Sequence, residues 1–386
     1  MRAPVVVGLL LVAAGLGVAC DTPSGRVVSP RHTSPVFTAP PLSTQILTQT
    51  PSATSTVPLP PEEPVVAEPT KPRPLARKDG TPSDALLLSA DELFDKGSFK
   101  ESEEAYKKAM KLAPKDPAPI VGAARARLAK DEVPVDFNSA PKNATLTSCV
   151  AELRRATKLD KDYAQAHLEL GRALLVQGKA EDALASIRRA LELDGTEAEA
   201  HSALGVGMLA TGDLENAVLA LVKAAELEPK SAARHSNAGT ALVAAGRLPE
   251  GIRAYERALK LAPKDPSTLS DLGTALLASN EVDKAVDILT KAKALAPKNP
   301  AILSNLGYAM RIKGDLKAAE TEFRAALALD DKLVSAWINL GSVQAIAGNY
   351  GEARASFDKA KAIDPTDPRV IATLAELDEL EKSKKP

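Results

Sequence analysis

The sequence predicts an all-α chain built from one helical hairpin copied many times, and three recurrences predict it. Gly171, Gly205, Gly239, Gly273, Gly307 and Gly341 are each 34 residues apart. Twelve places after each stand Ala183, Ala217, Gly251, Ala285, Ala319 and Ala353, and a third small column runs Ala190, Ala224, Ala258, Ala292, Ala326 and Ala360. A fixed period of that length marks one supersecondary unit that buries its apolar face only by stacking on its neighbours.

Each part of the unit has a physical reason. Glycine or alanine lets two helix backbones approach closely, and the bulky Ile187, Leu221, Tyr255, Leu289, Phe323 and Phe357 fill the space beside them. The turn between the two helices falls at Gly178, Gly212, Gly246, Asn280, Gly314 and Gly348, where the backbone must enter the left-handed region that glycine and asparagine tolerate best. The second helix closes at Gly195, Pro229, Pro263, Pro297, Asp331 and Pro365, where proline ends one helix and begins the next unit.

Column by column these residues match one repeat signature, and the chain resembles the tetratricopeptide repeat family over roughly residues 83 to 386. Six units are regular, 164–197, 198–231, 232–265, 266–299, 300–333 and 334–367, with Trp337 the one copy of the consensus tryptophan. A seventh spans 83–116, with Leu86, Leu93, Ser102, Tyr106, Ala109 and Pro114 in the corresponding columns. Between them lies an irregular unit, 117–163, whose second helix puts Cys149, Leu153 and Ala156 in the small, bulky and small columns. Its two helices are separated by about 13 residues more than the repeat allows, an insertion expected at the hairpin tip. Residues 368–386 read as the polar-faced capping helix that an open end requires. The resemblance implies a right-handed α-solenoid of about eight such units plus this cap, preceded by a signal peptide and a disordered linker.

The amino terminus points to export. Arg2 is followed by an uncharged apolar stretch from Ala3 to Ala19, too short to span a membrane and right for a signal peptide over residues 1–19. Leu16-Gly17-Val18-Ala19-Cys20 resembles a bacterial lipobox, with Gly17 where leucine is usual, and the resemblance implies acylation of Cys20, by palmitate or a like chain. Secretion with cleavage nearby and an uncleaved anchor are the alternatives. The chain has only Cys20 and Cys149, so no disulfide framework competes for Cys20, and lipidation explains its position best. The location implied is the bacterial cell envelope, lipid-anchored, periplasmic or surface-facing, in the inner or the outer membrane. Residues 20–82 form a Pro/Ser/Thr-rich disordered tether, uncharged from Thr33 through Pro61, that would reach ~190 Å as polyproline II and roughly 45 Å as coil.

Composition narrows the function. A net charge of −1 with 26% charged residues excludes strong attraction to nucleic acid or to anionic lipid, so the membrane is met only through the N-terminal lipid. His167, His201 and His235 recur at one repeat position, but stacked helices hold such residues roughly 8–10 Å apart, too far to share a metal ion; they fill the tryptophan slot. Ser356 and Lys359 match S-x-x-K by chance across a core column, and no P-loop, G-x-G-x-x-G, G-x-S-x-G or H-E-x-x-H motif occurs. The reading is a non-enzymatic protein without cofactor or metal.

In the family the first helix of each hairpin lines a concave groove. The column two before the glycine reads Glu169, Ala203, Asn237, Asp271, Asn305 and Asn339, and asparagine there resembles the backbone-binding residues of members that hold extended chains, because one amide both donates and accepts. Ser236, Ser270 and Ser304 precede this column, and Thr240, Thr274 and Tyr308 follow the glycine, so the expected groove is uncharged, small and polar. An edge strip of Leu175, Leu209, Val243 and Leu277, with Ile312 and Ile346, adds apolar surface. The same residues equally suit a second role, bonding and packing between neighbouring helices. The Lys/Arg pairs of a carboxylate clamp are missing. These features together imply a protein- or peptide-binding scaffold that supports assembly of an envelope complex of pilus, secretion, outer-membrane or polysaccharide-export type. The alternative is an accessory module presenting substrate to a separate peptidoglycan hydrolase or glycosyltransferase.

Overall fold

Caps and prolines start the helices where the sequence places them. The Asp265 carboxylate accepts from the backbone N–H of Ser267 and Thr268 at 3.3 and 3.0 Å, and Asn299 does the same for Ala301 and Ile302 at 3.0 and 3.3 Å, each followed by proline at the first helical position. The structure is a computed structural model and describes residues 72–131 and 143–383. The signal peptide, Cys20, residues 20–71 of the tether and residues 132–142 of the insertion lie outside them. Every element among the described residues is a helix.

The described residues form two compact units, 72–263 and 264–383. The first contains five hairpins: α1 (Pro82–Asp95) with α2 (Phe99–Leu112), α3 (Ala118–Lys130) with α4 (Ala144–Leu159), α5 (Ala164–Val176) with α6 (Ala180–Leu193), α7 (Ala198–Thr211) with α8 (Leu214–Leu227), and α9 (Ala232–Ala244) with α10 (Leu248–Leu261). The second contains three hairpins and a final helix: α11 (Pro266–Ala278) with α12 (Val282–Leu295), α13 (Pro300–Lys313) with α14 (Leu316–Leu329), α15 (Val334–Ile346) with α16 (Tyr350–Ile363), and α17 (Pro368–Ser383).

Glycine sets the spacing inside each hairpin. A β-carbon at Gly171 would lie 2.4 Å from Ile187, at Gly205 2.4 Å from Leu221, at Gly273 2.5 Å from Leu289 and at Gly341 2.5 Å from Phe357. Each small residue therefore admits the bulky residue sixteen places on, and that residue is buried in turn. The turns behave as read: Gly178, Gly212, Gly246, Gly314 and Gly348 all have φ between 75° and 92°, and Asn280 adopts 61°. Behind them the backbone N–H of Lys179 donates to Leu174 and that of Asp213 to Met208, the six-to-one bond that closes a helix on a left-handed residue.

The irregular hairpin keeps the common register. Cys149 Sγ lies 3.8 Å from the carbonyl of Ala124, the same pairing that Ser102 Oγ makes with Ala90 at 2.9 Å in the first hairpin. Burial pushes the Cys149 thiol up to about 12, so it packs as a small apolar residue. A buried carboxylate holds this hairpin in place. Glu103 on α2 accepts from Lys107 at 2.6 Å, Arg127 at 2.9 Å and Lys130 at 2.7 Å, and Arg127 also reaches Glu152 on α4 at 2.8 Å. Burial alone would raise the Glu103 pKa, but those cations bring it down to about 2. On the far side of the insertion Asn143 caps α4, accepting from Leu146 N–H at 2.9 Å. At the carboxy terminus α17 buries Val370 and Leu377 and ties Arg354 to Asp378 and Glu381; its outer side is polar apart from Ile371 and Leu380.

The glycine spacing makes two substitutions diverge. Gly341→Ala drives a methyl into Phe357 and should cost about 1–3 kcal/mol, whereas Gly351→Ala, in a helix with nothing within 4 Å, should stabilise by about 0.5–1 kcal/mol. Thermal unfolding of the two variants checks both signs.

Candidate functional site

The side chains expected to line an open groove are buried, from 0% exposed for Asn305 to 8% for Tyr308. Asn237 donates to Ser202 Oγ at 3.4 Å and Asn305 to Ser270 Oγ at 3.2 Å, so each amide bridges to the first helix of the preceding hairpin. Asn339, Ser236, Ser270 and Ser304 are buried in the same column positions. Thr240 bonds the Ser236 carbonyl at 3.1 Å and the Tyr255 hydroxyl at 3.0 Å, and Thr274 bonds the Asp271 carbonyl at 2.8 Å. This corrects the open-groove expectation: neighbouring first helices pack so closely that these small polar residues lie between them. Of the apolar strip, Leu175 and Leu209 are core, Val243 and Leu277 are half-buried, and Ile312 and Ile346 are exposed.

Among the described residues, several polar groups in these columns are incompletely matched. The carbonyl oxygens of Asn237 and Asn305 have no donor, and neither oxygen of the buried Asp271 carboxyl has a partner. Burial, with the Asp265 charge adding to it, pushes the Asp271 carboxyl well above the ordinary carboxylate range, so it holds its proton to a higher pH than a solvated carboxyl does. On α13 Arg311 stacks over the Tyr308 ring at 4.9 Å, and its Nε and Nη2 have no acceptor. Burial pulls that guanidinium below its usual value.

The histidine ladder is structural. Nε2 of His167, His201 and His235 lies 2.9, 3.0 and 2.9 Å from the carbonyl oxygens of Lys161, Gly195 and Pro229. Trp337 Nε1 donates to the Asp331 carbonyl at 2.8 Å, the same bond six residues back. Imidazole thus replaces indole as an N–H donor that fastens each hairpin to the turn before it. Among the described residues no three His, Cys, Asp or Glu side chains are grouped to hold a metal.

In the first unit the inner helices are charged, contrary to the uncharged groove read from the later repeats. Arg125 on α3 pairs with Glu169 on α5 at 2.9 Å, Glu169 with Arg172 at 3.2 Å, Arg172 with Glu199 on α7 at 3.2 Å, and Glu199 with Arg234 on α9 at 2.6 Å. Arg234 ends the series on Glu228 at 2.9 Å. Buried ions are tolerated only when paired, and here every charge has a neighbour of opposite sign. Burial alone would raise Glu199, yet Arg172 and Arg234 hold it below the usual range. Part of the signal lay in the column one past the glycine, which is charged in the first three hairpins, at Asp91, Arg125 and Arg172, and neutral from Val206 onward; Glu169, Glu199 and Arg234 come from other columns.

A stretch of chain lies on that charged face. Residues 72–81, read as the end of the tether, run outside any helix, and Leu75 within them is buried. The backbone N–H groups of Leu75 and Ala76 both donate to Asp91 Oδ2, at 2.8 and 2.9 Å, while the Tyr106 hydroxyl donates to Asp91 Oδ1 at 2.6 Å. Arg125 donates to the Arg73 carbonyl at 3.3 Å, and Asp84 accepts from the N–H of Arg77 at 2.6 Å and of Asp79 at 3.1 Å. Arg73 pairs with Asp194 and with Glu197 at 3.4 Å; Arg77 pairs with Asp116 at 2.9 Å and lies 5.4 Å from the Tyr163 ring centre. Proline-rich composition hid this segment, because its partners are carboxylates up to 121 residues away.

Comparison with known proteins decides the family. A model described as tetratricopeptide repeat matches residues 150–198, 177–234, 236–300 and 302–368, and a second of the same description matches 83–116. The chain belongs to the tetratricopeptide repeat family. No curated protein matches it. Among solved structures, the APC/C hetero-tetramer Cut9-Hcn1 is similar at 18% identity and a TM-score of 0.57, covering 78% of this chain and 57% of that one. The chain thus spans little more than half of that relative, and the likeness is one of fold. Pseudomonas aeruginosa pilF is 20% identical with a TM-score of 0.48, covering 56% of this chain and 98% of that one. YrrB, described as a TPR protein with an unusual peptide-binding site, is 24% identical with a TM-score of 0.38, covering 48% and 95%. Repeats of this family form surfaces for protein or peptide partners, and the chain is an interaction scaffold on that ground.

Asp271 makes a pH-dependent test. The unfolded chain releases this proton near pH 4 while the folded chain keeps it to a higher pH, so above about pH 4 the folded state binds more protons and loses stability as pH rises. Asp271→Asn removes that loss. Its melting temperature should exceed wild type by a few degrees at pH 7.5, and the difference should vanish below about pH 4.

Proposed function

We propose that this protein is a lipid-anchored, non-enzymatic scaffold of the bacterial cell envelope, holding an extended segment of a partner protein on its inner helices to support assembly of an envelope complex. The observation that carries the binding mode is the path of residues 72–79 across α1 and α3, where an extended backbone is gripped by side chains of the first helices. The anchor rests on sequence alone: an apolar leader to Ala19, Cys20 in a lipobox-like setting, and a tether long enough to stand the repeats off the membrane. In the second unit Arg311, stacked on Tyr308 and next in the chain to exposed Ile312, offers a donor pair and apolar surface to a partner bearing a carboxylate.

Cys20→Ser should release the protein from the membrane fraction, since the tether makes no other strong membrane contact; unchanged fractionation would sink the anchor. Crosslinking in intact envelopes followed by affinity capture should recover a defined protein partner, and Arg311→Met should weaken that capture. Because two of the three guanidinium nitrogens, Nε and Nη2, are buried without an acceptor, the same substitution should leave stability unchanged or slightly raised. A variant that is destabilised, or captures partner equally well, removes Arg311 from the site.

A further inference from the structure

The inner face of the first three hairpins already holds a ligand, and the ligand is part of the chain. We propose that this face is a receptor for an extended, arginine-bearing segment, that residues 73–77 occupy it in cis, and that a partner segment of the same chemistry enters by displacing them. The proposal deepens the scaffold reading, on which it rests, by stating what this groove selects and what keeps it closed.

The chemistry of the groove is one-sided. Asp84, Asp91, Asp116, Asp194 and Glu197 meet the segment, and between them they take four backbone N–H groups and two guanidinium groups. An acidic chain would be repelled there, whereas one carrying arginines four residues apart around a buried leucine satisfies every acceptor. Arg125 supplies a donor, to the Arg73 carbonyl.

The receptor is built without its occupant. Tyr106 fixes Asp91, while Glu169 and Gln165 hold Arg125 at 2.9 and 3.3 Å. These bonds stay when the segment leaves. The occupant, by contrast, belongs to no hairpin. It joins α1 through Lys78 and Gly80, both at positive φ, and a β-carbon at Gly80 would touch nothing within 4 Å. Pro72 and Pro74 bias the segment toward an extended backbone before it docks, which lowers the entropy lost on binding.

Tethering makes the occupant hard to displace. A few residues of linker give an effective concentration of about 1–10 mM, so a free peptide of equal intrinsic affinity competes at a disadvantage of about ten- to a hundredfold. A natural partner overcomes this by adding contacts elsewhere on the array. Undocking would lengthen the tether by about 25 Å.

The test uses the full-length protein in detergent and a fluorescent peptide of residues 71–80. Wild type should bind it weakly, and the double variant Leu75→Asp/Arg77→Glu, which ejects the cis copy, should bind it at least about tenfold more tightly. Adding Asp91→Ala to that variant should abolish the gain. Equal peptide affinity in wild type and the double variant, with the helical circular dichroism unchanged, overturns the proposal. Hydrogen exchange on unmodified protein guards against a variant that fails to fold. Excess unlabelled peptide should speed exchange of the Leu75 and Ala76 amides while those of α1 to α3 stay protected. If the two amides exchange only together with the helices, the segment is core and the proposal falls. Partner capture through crosslinking is independent of either result, so the scaffold reading survives or fails on its own experiment.

Discussion

The distance between two helix backbones at the glycine column governs most of what this molecule does. Where Gly171 faces Ile187 or Gly341 faces Phe357, a β-carbon would overlap the bulky side chain, so the absence of one atom per hairpin sets how deeply the second helix settles on the first. Because neighbouring hairpins also stack within each unit, the small polar residues flanking the glycines are drawn between first helices rather than left facing a cleft. Asn305 on Ser270 and Asn237 on Ser202 are consequences of that spacing, as is the uncompensated burial of Asp271. A polar group enclosed without a full set of partners lowers stability, and proteins retain such groups where something other than stability is selected.

Charge divides along the chain while the fold repeats. In the first three hairpins the position after the small column is charged (Asp91, Arg125, Arg172), and Arg125 and Arg172 join Glu169, Glu199 and Arg234 in an alternating series that links α3, α5, α7 and α9; in the second unit it is Thr274, Tyr308 and Ser342. One scaffold thereby presents two chemistries. The early hairpins are lined by ion pairs and carboxylates, and the later ones carry Arg311 stacked on buried Tyr308, with Ile312 and Ile346 exposed. Recognition by such a surface depends on several modest contacts in register.

Histidine, cysteine and buried glutamate side chains are occupied in holding the chain together. The three histidines fasten hairpins to preceding turns, Cys149 fills a small-residue slot, and Glu103 locks three cations around the base of the irregular hairpin. Repetition explains this economy. A residue placed for packing in one hairpin recurs at the same place in the next, so a column of identical reactive groups reports the repeat before it reports a site.

The repeat period, both small columns, the left-handed turns including Asn280, the register of Cys149 and the tryptophan-slot role of the histidines were all legible in the sequence. These features are local: backbone conformation and contacts within one hairpin depend on residues a fixed, short distance apart, and the 34-residue spacing writes that distance many times over. The tertiary structure alone decided three other matters: that the groove asparagines are enclosed, that Arg125, Glu169, Arg172, Glu199 and Arg234 form one series, and that residues 72–81 lie on the inner helices. Each depends on how closely separate hairpins pack and on which distant carboxylate meets which donor. Those distances arise from the stacking of whole elements, and no spacing between residues along the chain encodes them.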